Sequence, residues 1–294
     1  MKLPVKYLAG MSLALWLPTM AVAGDSVHES REVGPEAHIS IDNLAGSIEI
    51  EAWDRNEVEI RGELGDSVEE FEVSESSNGL RIRVQNKSSR RNIDETDLRF
   101  KVPVGASIEV ESVSADIGVE GSKGKMIQVN TVSGDVILQG SPQQIDLHSV
   151  SGDIEFSGNV SRSTVESVSG EITLNGLDGE IEVSTVSGDV SLTAGTFERA
   201  RFEAVSGDLK LDLAVGDGGR LTSDSMSGDL NLRLPAHQQA RISAQTFSGD
   251  IRSDFGTSSR VSRGPGSVLE YEEGSNGAAI RLESFSGDIR IRKE

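Results

Sequence analysis

Nine acidic residues recur through the chain at nearly constant spacing: Asp116, Asp135, Asp153, Glu171, Asp189, Asp208, Asp229, Asp250 and Asp288. The steps between them are 19, 18, 18, 18, 19, 21, 21 and 38 residues. Carboxylates gathered into one column repel by roughly 1 kcal/mol per pair in water, and less in salt. A divalent cation relieves that repulsion, and calcium takes oxygen ligands, so Asp135, Asp153, Glu171, Asp189 and Asp208 form a candidate calcium ladder. Against this stands the absence of the Gly-Gly-x-Gly-x-Asp nonapeptide of calcium-binding β-rolls. An Asp at a chain corner also has an ordinary role, since its carboxylate bonds nearby backbone amides. The expectation is therefore no cofactor, with calcium as the alternative.

Other chemistry has less to stand on. Serines abound, but no Gly-x-Ser-x-Gly elbow occurs and there is no cysteine. His28, His38, His148 and His237 lack metal-ligand spacing. A carboxylate pair acting on polysaccharide is the runner-up, since so many acids can place two at a suitable distance. Arg260 and Arg263 beside Gly264-Pro265-Gly266 are a candidate contact loop. No catalytic residue is assigned, and an enzyme is not expected.

The acids belong to a repeat that must position them. Val132-Ser133-Gly134-Asp135-Val136 returns almost unchanged around Gly152, Gly170, Gly188 and Gly207, then with Met226, Phe247 or Phe285 replacing Val, around Gly228, Gly249 and Gly287. A degenerate copy begins at Val113. A period near twenty residues is the mark of a solenoid. Ile145 and Leu147, then Ile154 and Phe156, alternate with polar residues, so each repeat offers two short strands joined at the Ser-Gly-Asp corner. Stacking predicts internal ladders, one of Ile127, Ile145 and Ile181, another of Val132, Val150, Val168, Val186 and Val205. Met226, Phe247 and Phe285 would then widen or close the core towards its end. A constant corner opposite a variable edge, such as Ser157 to Ser163 or Ala194 to Arg199, favours a β-helix over a meander, and crossover preference makes it right-handed. The predicted fold is all-β: a single-stranded right-handed β-helix or solenoid of about 18–21-residue coils. Its variable edge, or residues 252–278, would carry any local function. That last stretch is either a degenerate coil or an inserted loop.

The repeat occupies residues 112–294. Before it, residues 38–111 alternate at period two (Ser47-Ile48-Glu49-Ile50, Leu80-Arg81-Ile82-Arg83-Val84), predicting irregular first coils, with an exposed loop from Asn86 to Asp97. Residues 24–37 read as a flexible leader. Lys2 and Lys6, the apolar Leu8 to Leu17 and Ala21-Val22-Ala23 read as a signal peptide over 1–23, making the protein exported, periplasmic or secreted. No later stretch is long and apolar enough to span a bilayer. Net charge is −20, or −22 once Lys2 and Lys6 are removed, so nucleic acid is excluded as a partner on electrostatic grounds. From Arg233 onward nine Lys/Arg face eight Asp/Glu, so the excess acid lies earlier.

Asn43-Leu44-Ala45-Gly46-Ser47-Ile48-Glu49-Ile50, Trp53-Asp54, Asn56-Glu57-Val58 and Leu98 to Val104, together with the Val-Ser-Gly-Asp repeats, resemble a bacterial adhesin-like family of exported β-strand-repeat domains, a domain-of-unknown-function family. The resemblance covers most of the chain after residue 23. It implies an exported β-helix and supplies no catalytic residues. Repeat, signal segment and lack of a site lead to a non-catalytic interaction, adhesin-like or scaffold module of the cell envelope, with an envelope protein or glycan as partner. The alternatives are an envelope polysaccharide enzyme or sensor, and a calcium-binding repeat protein.

Overall fold

The structure, a computed structural model, describes residues 26–87, 94–261, 264–274 and 277–294. The expected signal peptide, half of the expected loop from Asn86 to Asp97 (88–93), and Arg263 lie outside them. Strands make up the chain: β1 (Ser26–Glu32), β2 (His38–Trp53), β3 (Glu57–Glu63), β4 (Val68–Ser76), β5 (Gly79–Asn86), β6 (Thr96–Pro103) and β7 (Ser107–Ser122). The repeat region continues with β8 (Met126–Thr131), β9 (Val136–Gly140), β10 (Gln144–Ser149), β11 (Ile154–Gly158), β12 (Arg162–Ser169), β13 (Ile172–Asn175), β14 (Gly179–Ser187), β15 (Val190–Ser206) and β16 (Leu209–Ser227). Then follow β17 (Leu230–Leu234), β18 (Ala240–Ser248), β19 (Ile251–Ser253), β20 (Ser259–Arg260), β21 (Ser267–Glu272), β22 (Ala278–Ser286) and β23 (Ile289–Lys293). Among the described residues no helix is long and apolar enough to cross a membrane.

Pairing between repeats is parallel. Gln144 of β10 lies opposite Met126 of β8 and Arg162 of β12, each 18 residues away in the chain. Strands before the corner form one ladder: β2, β7, β8, β10, β12, β14 and the second halves of β15 and β16. Strands after it form the other: the second halves of β2 and β7, then β9, β11, β13 and the first halves of β15 and β16. A hairpin meander would pair successive strands antiparallel; a coil stacks each on its counterpart in the next turn. The chain is a solenoid.

Alternation decides what goes inside. Ile108, Ile127, Ile145, Ile181, Leu221 and Ile280 are all buried in one column. Ser163 occupies the same column between Ile145 and Ile181, buried, and its hydroxyl has no hydrogen-bond partner. An unsatisfied buried hydroxyl costs free energy that a methyl does not. Ser163→Ala is accordingly expected to raise stability by about 1 kcal/mol, measured by urea unfolding; an unchanged or lower midpoint would mean the hydroxyl is satisfied.

The ladder of corner valines is not internal. Val132, Val150, Val168, Val186 and Val205 are 43–47% exposed. Met226, Phe247 and Phe285 are 54–60% exposed, so they do not widen the core. The reason is the alternation itself. With Ile145 and Leu147 inside, Ser149 is the next inward position and Val150 faces out. Ser149 then wraps the corner, its hydroxyl accepting the Gly152 N–H at 3.0 Å. Thr131, Ser167 and Thr185 are buried at the same place in neighbouring coils.

The polar stretch expected to be a loose leader is also tied down. Strand β1 pairs antiparallel with β3, and Val27 is buried. Antiparallel strands in fact close both ends of the array: β4 on β5, β3 on β6, and β21 on β18. Reversing direction at an end ends the stack and blunts edges that would otherwise pair with another chain.

The last coil is not last in space. Strands β22 and β23 lie between the coil of β16 and β17 and the coil of β18 and β19. Residues 252–278 are therefore not a degenerate coil of the stack; of the two expectations the inserted loop is the nearer, with strands of its own. They carry the chain outward through β21, which caps β18, and return it to fill the slot between two coils already laid down.

Candidate functional site

The acidic residues do form a column, and hydrogen bonds account for its geometry. Oδ1 of Asp116 accepts the backbone N–H of Asp135 at 3.0 Å, and Asp135 accepts that of Asp153 at 3.0 Å. Asp153 accepts from Glu171, Asp189 from Asp208, and Asp208 from Asp229. Spatial order then departs from chain order: Asp229 accepts from Asp288, and Asp288 from Asp250. Each such carboxylate ties the corner of one coil to the next. Among the described residues no three His, Cys, Asp or Glu side chains converge to hold a metal ion.

The corner glycines sit where a coil rests on its neighbour. A Cβ at any of Gly134, Gly152, Gly170, Gly188, Gly207, Gly228, Gly249 or Gly287 would lie 2.0–2.4 Å from a carbonyl oxygen of the adjacent coil. Close stacking is common to all eight. Together the Ser, Gly and Asp of the motif make the corner.

That leaves the outward apolar residue, which lies outside the core. Leu44 faces the same way at the head of the column, because β2 pairs with β7 so that Asn43 meets Ser112 and Ala45 meets Ser114. From there the order in space is Val113, Val132, Val150, Val168, Val186, Val205, Met226, Phe285 and Phe247. The two phenylalanines stack, with ring centroids 4.9 Å apart and planes 6° from parallel. Beside this column runs a groove of about 740 Å³, which reaches from Leu44 to Val205. A second, of about 530 Å³, continues it past Met226, Phe285 and Phe247. The far wall is a row of outward residues on the adjoining ladder, among them Glu111, His148, Glu166, Glu203, Asp224 and Glu283.

The wall is electrostatically uneven. Nε2 of His148 reaches Asp146 at 2.8 Å and Nδ1 reaches Glu166 at 3.2 Å. Arg201 pairs with Glu203, and Arg281 with Glu283 at 2.7 Å. Asp224 lies between Glu203 and Glu283 in register. Partial burial, and next the negative charge of Glu283, push its carboxyl above the ordinary range; Arg201 and Arg281 oppose the shift. A raised folded-state value means that ionised Asp224 costs stability at neutral pH, a cost relieved as pH falls through that value. Asp224→Asn is thus expected to stabilise the protein at pH 7, with the difference from wild type vanishing in acid below the usual aspartate range. Thermal melts at both pH values test this; a difference that grows in acid would contradict it. Asp229 behaves oppositely, lowered chiefly by the hydrogen bond from Arg290.

The other expected positions fall elsewhere. Arg260 pairs with Asp250 at 3.1 Å, so it is not free for a partner. The variable edge, Ser157 to Ser163 and Ala194 to Arg199, lines neither of these two cavities. Sequence reasoning missed the Val column as a surface, although the alternation of Ile145 and Leu147 already directed Val150 outward.

A family model matches residues 37–292. The chain belongs to the Toastrack DUF4097 family. A comparison with curated proteins finds no match. Among solved structures the Toastrack chain is similar to a suspected adhesin from Bacteroides fragilis, at 12% identity and TM-score 0.42, over 92% of this chain and 97% of that one. It is also similar to a suspected lipid-binding protein from Parabacteroides distasonis, at 14% identity and TM-score 0.44, over 92% and 98%. A suspected adhesin from Parabacteroides merdae matches at 11% identity and TM-score 0.34, over 92% and 97%.

Proposed function

We propose that this Toastrack protein is an exported, non-catalytic interaction module of the cell envelope, and that its contact face is the apolar corner column. One observation carries the reading: an exposed apolar side chain at the same corner of every coil, forming a single continuous stripe. Soluble proteins rarely expose contiguous apolar surface on this scale without a partner for it. The coils are right-handed in this reading, by the preference that governs parallel crossovers. Residues 1–23 serve as the export signal and the array from residue 38 onward as the module.

A photocrosslinker placed at Val168 in living cells should yield discrete adducts, whereas the same group at Glu155, outward on the opposite ladder, should not. Equal adducts from both positions, or none from Val168, would overturn the reading. In this reading the Asp column needs no metal, because Asp116, Asp135, Asp153, Asp189, Asp208, Asp229 and Asp288 each accept a backbone N–H of the next coil. Calorimetry at millimolar calcium should accordingly show no heat and no rise in melting temperature; a rise would assign the column to calcium.

A further inference from the structure

The groove also carries information about what lies in it, and this step rests on the interaction reading above. We propose that the occupant is a cationic amphipathic helix, its apolar stripe laid along the Val column and its lysines or arginines directed to the carboxylates of the groove wall.

Three observations converge. The first is charge. On the ladder side the column is flanked by Glu111, Glu166, Glu203, Asp224 and Glu283, of which Glu166, Glu203 and Glu283 also pair with His148, Arg201 and Arg281. On the corner side, three residues beyond each valine, stand Asp116, Asp135, Asp153, Glu171, Asp189 and Asp208. Among the described residues none of those six makes an ion pair, whereas Asp229, Asp250 and Asp288 at the far end pair with Arg290 or Arg260. Apolar surface with acid along its groove wall, and further unpaired acid around the corner, complements an apolar stripe flanked by base. It repels the headgroups of anionic lipid and a second copy of this acidic chain alike.

The second observation is pitch. Coils stack at about 4.8 Å, the spacing of strands in a sheet. An amphipathic helix presents its apolar stripe with a rise of about 5.4 Å per turn. An extended strand repeats on one face only every ~6.6 Å, and falls out of step with the coils within three residues of its own face. Helical pitch fits better, staying within half a coil spacing for about four turns. The third is length. Nine steps from Leu44 to Phe247 span roughly 43 Å, which a helix of about 28 residues covers. The column also grades from small to large, Val113 to Phe247, so it grips one end of the occupant harder and gives it a direction.

The test uses the whole exported chain and a synthetic 28-residue peptide with a leucine stripe at helical spacing flanked by lysines. Calorimetry should show binding that weakens as salt rises, with circular dichroism reporting the peptide as helical when bound. Val150→Ser, Val168→Ser and Val186→Ser combined alter exposed positions only. They should leave urea unfolding near wild type and weaken binding at least tenfold. Glu166→Gln with Glu203→Gln should weaken it severalfold and flatten the salt dependence. A glutamate-flanked peptide and phosphatidylglycerol vesicles should not bind. Binding of either of these as tightly as the lysine peptide, a triple-serine variant with wild-type affinity, or a proline-interrupted peptide that binds equally well would overturn the proposal. Silence of the lysine peptide alongside discrete crosslinks from Val168 would sink the helical occupant and leave the interaction module standing. Absence of those crosslinks would remove the module reading itself.

Discussion

Gly207→Ala is expected to destabilise the fold by at least roughly 1–3 kcal/mol, the range for a residue forced into a sparsely populated backbone conformation. Gly207 has a φ of +139°, and an added Cβ would come within 2.2 Å of the Gly188 carbonyl oxygen. That oxygen belongs to the backbone of the coil beneath, which itself rests on Gly170. It cannot move aside without opening the stack. Gly118 supplies the control, since a Cβ there meets nothing and its φ is ordinary. Gly118→Ala should be neutral or stabilising by up to about 1 kcal/mol, through the unfolded chain's lost freedom. Paired urea titrations measure both. Equal midpoints for the two variants would contradict the view that corner glycines exist for close stacking.

Leu282→Asp should cost on the order of 3–5 kcal/mol, as an uncompensated charge in the core, and the damage should spread against the chain order. Leu282 is fully buried in β22, opposite Ser223 of β16 and Ala244 of β18. Since β22 alone connects β18 to the rest of its ladder, losing it isolates β18 and the capping β21. Solenoid stability is a sum of coil and neighbour terms, so coils on the far side of β16 keep theirs. Hydrogen exchange should therefore show protection lost over residues 240–272 as well as 278–293, with 126–206 still protected. Retained protection in β18 would mean that the coil of β18 docks directly on β16 and that the insertion is not obligatory.

Most of the architecture is legible in the residues. The 18-residue steps fix which residues stack, and Ile145, Leu147, Ile154 and Phe156 mark the two inward faces without ambiguity. What misleads is Val150. Hydrophobicity suggests burial, yet period two from Leu147 puts Ser149 inside, and alternation prevails because the backbone pleat sets side-chain direction before side-chain character has any say. The inserted last coil is less accessible. A step of 38 residues looks like a skipped motif, and the exchanged order shows only in space, in the pairing of β22 with β16 and in the bond from Asp288 to Asp229, 59 residues apart in sequence. Strand β1 escapes notice because a capping edge strand carries polar residues on most of its positions, as Ser26, His28 and Ser30 do. The candidate site had its residues in plain view, inside the repeat, and was sought instead on the variable edge. A motif can specify a corner with its Ser, Gly and Asp and present a surface with its Val.

The orientation of that Val decides the account, and thiol accessibility measures it directly. The chain has no cysteine, so one introduced thiol reports one position. Val150→Cys in the folded protein should react with a maleimide as fast as an unfolded control, while Leu147→Cys, three residues before it, should react only on unfolding. A protected thiol at position 150, with or without a reactive one at 147, would put the valine column back inside the solenoid and leave no groove for a partner.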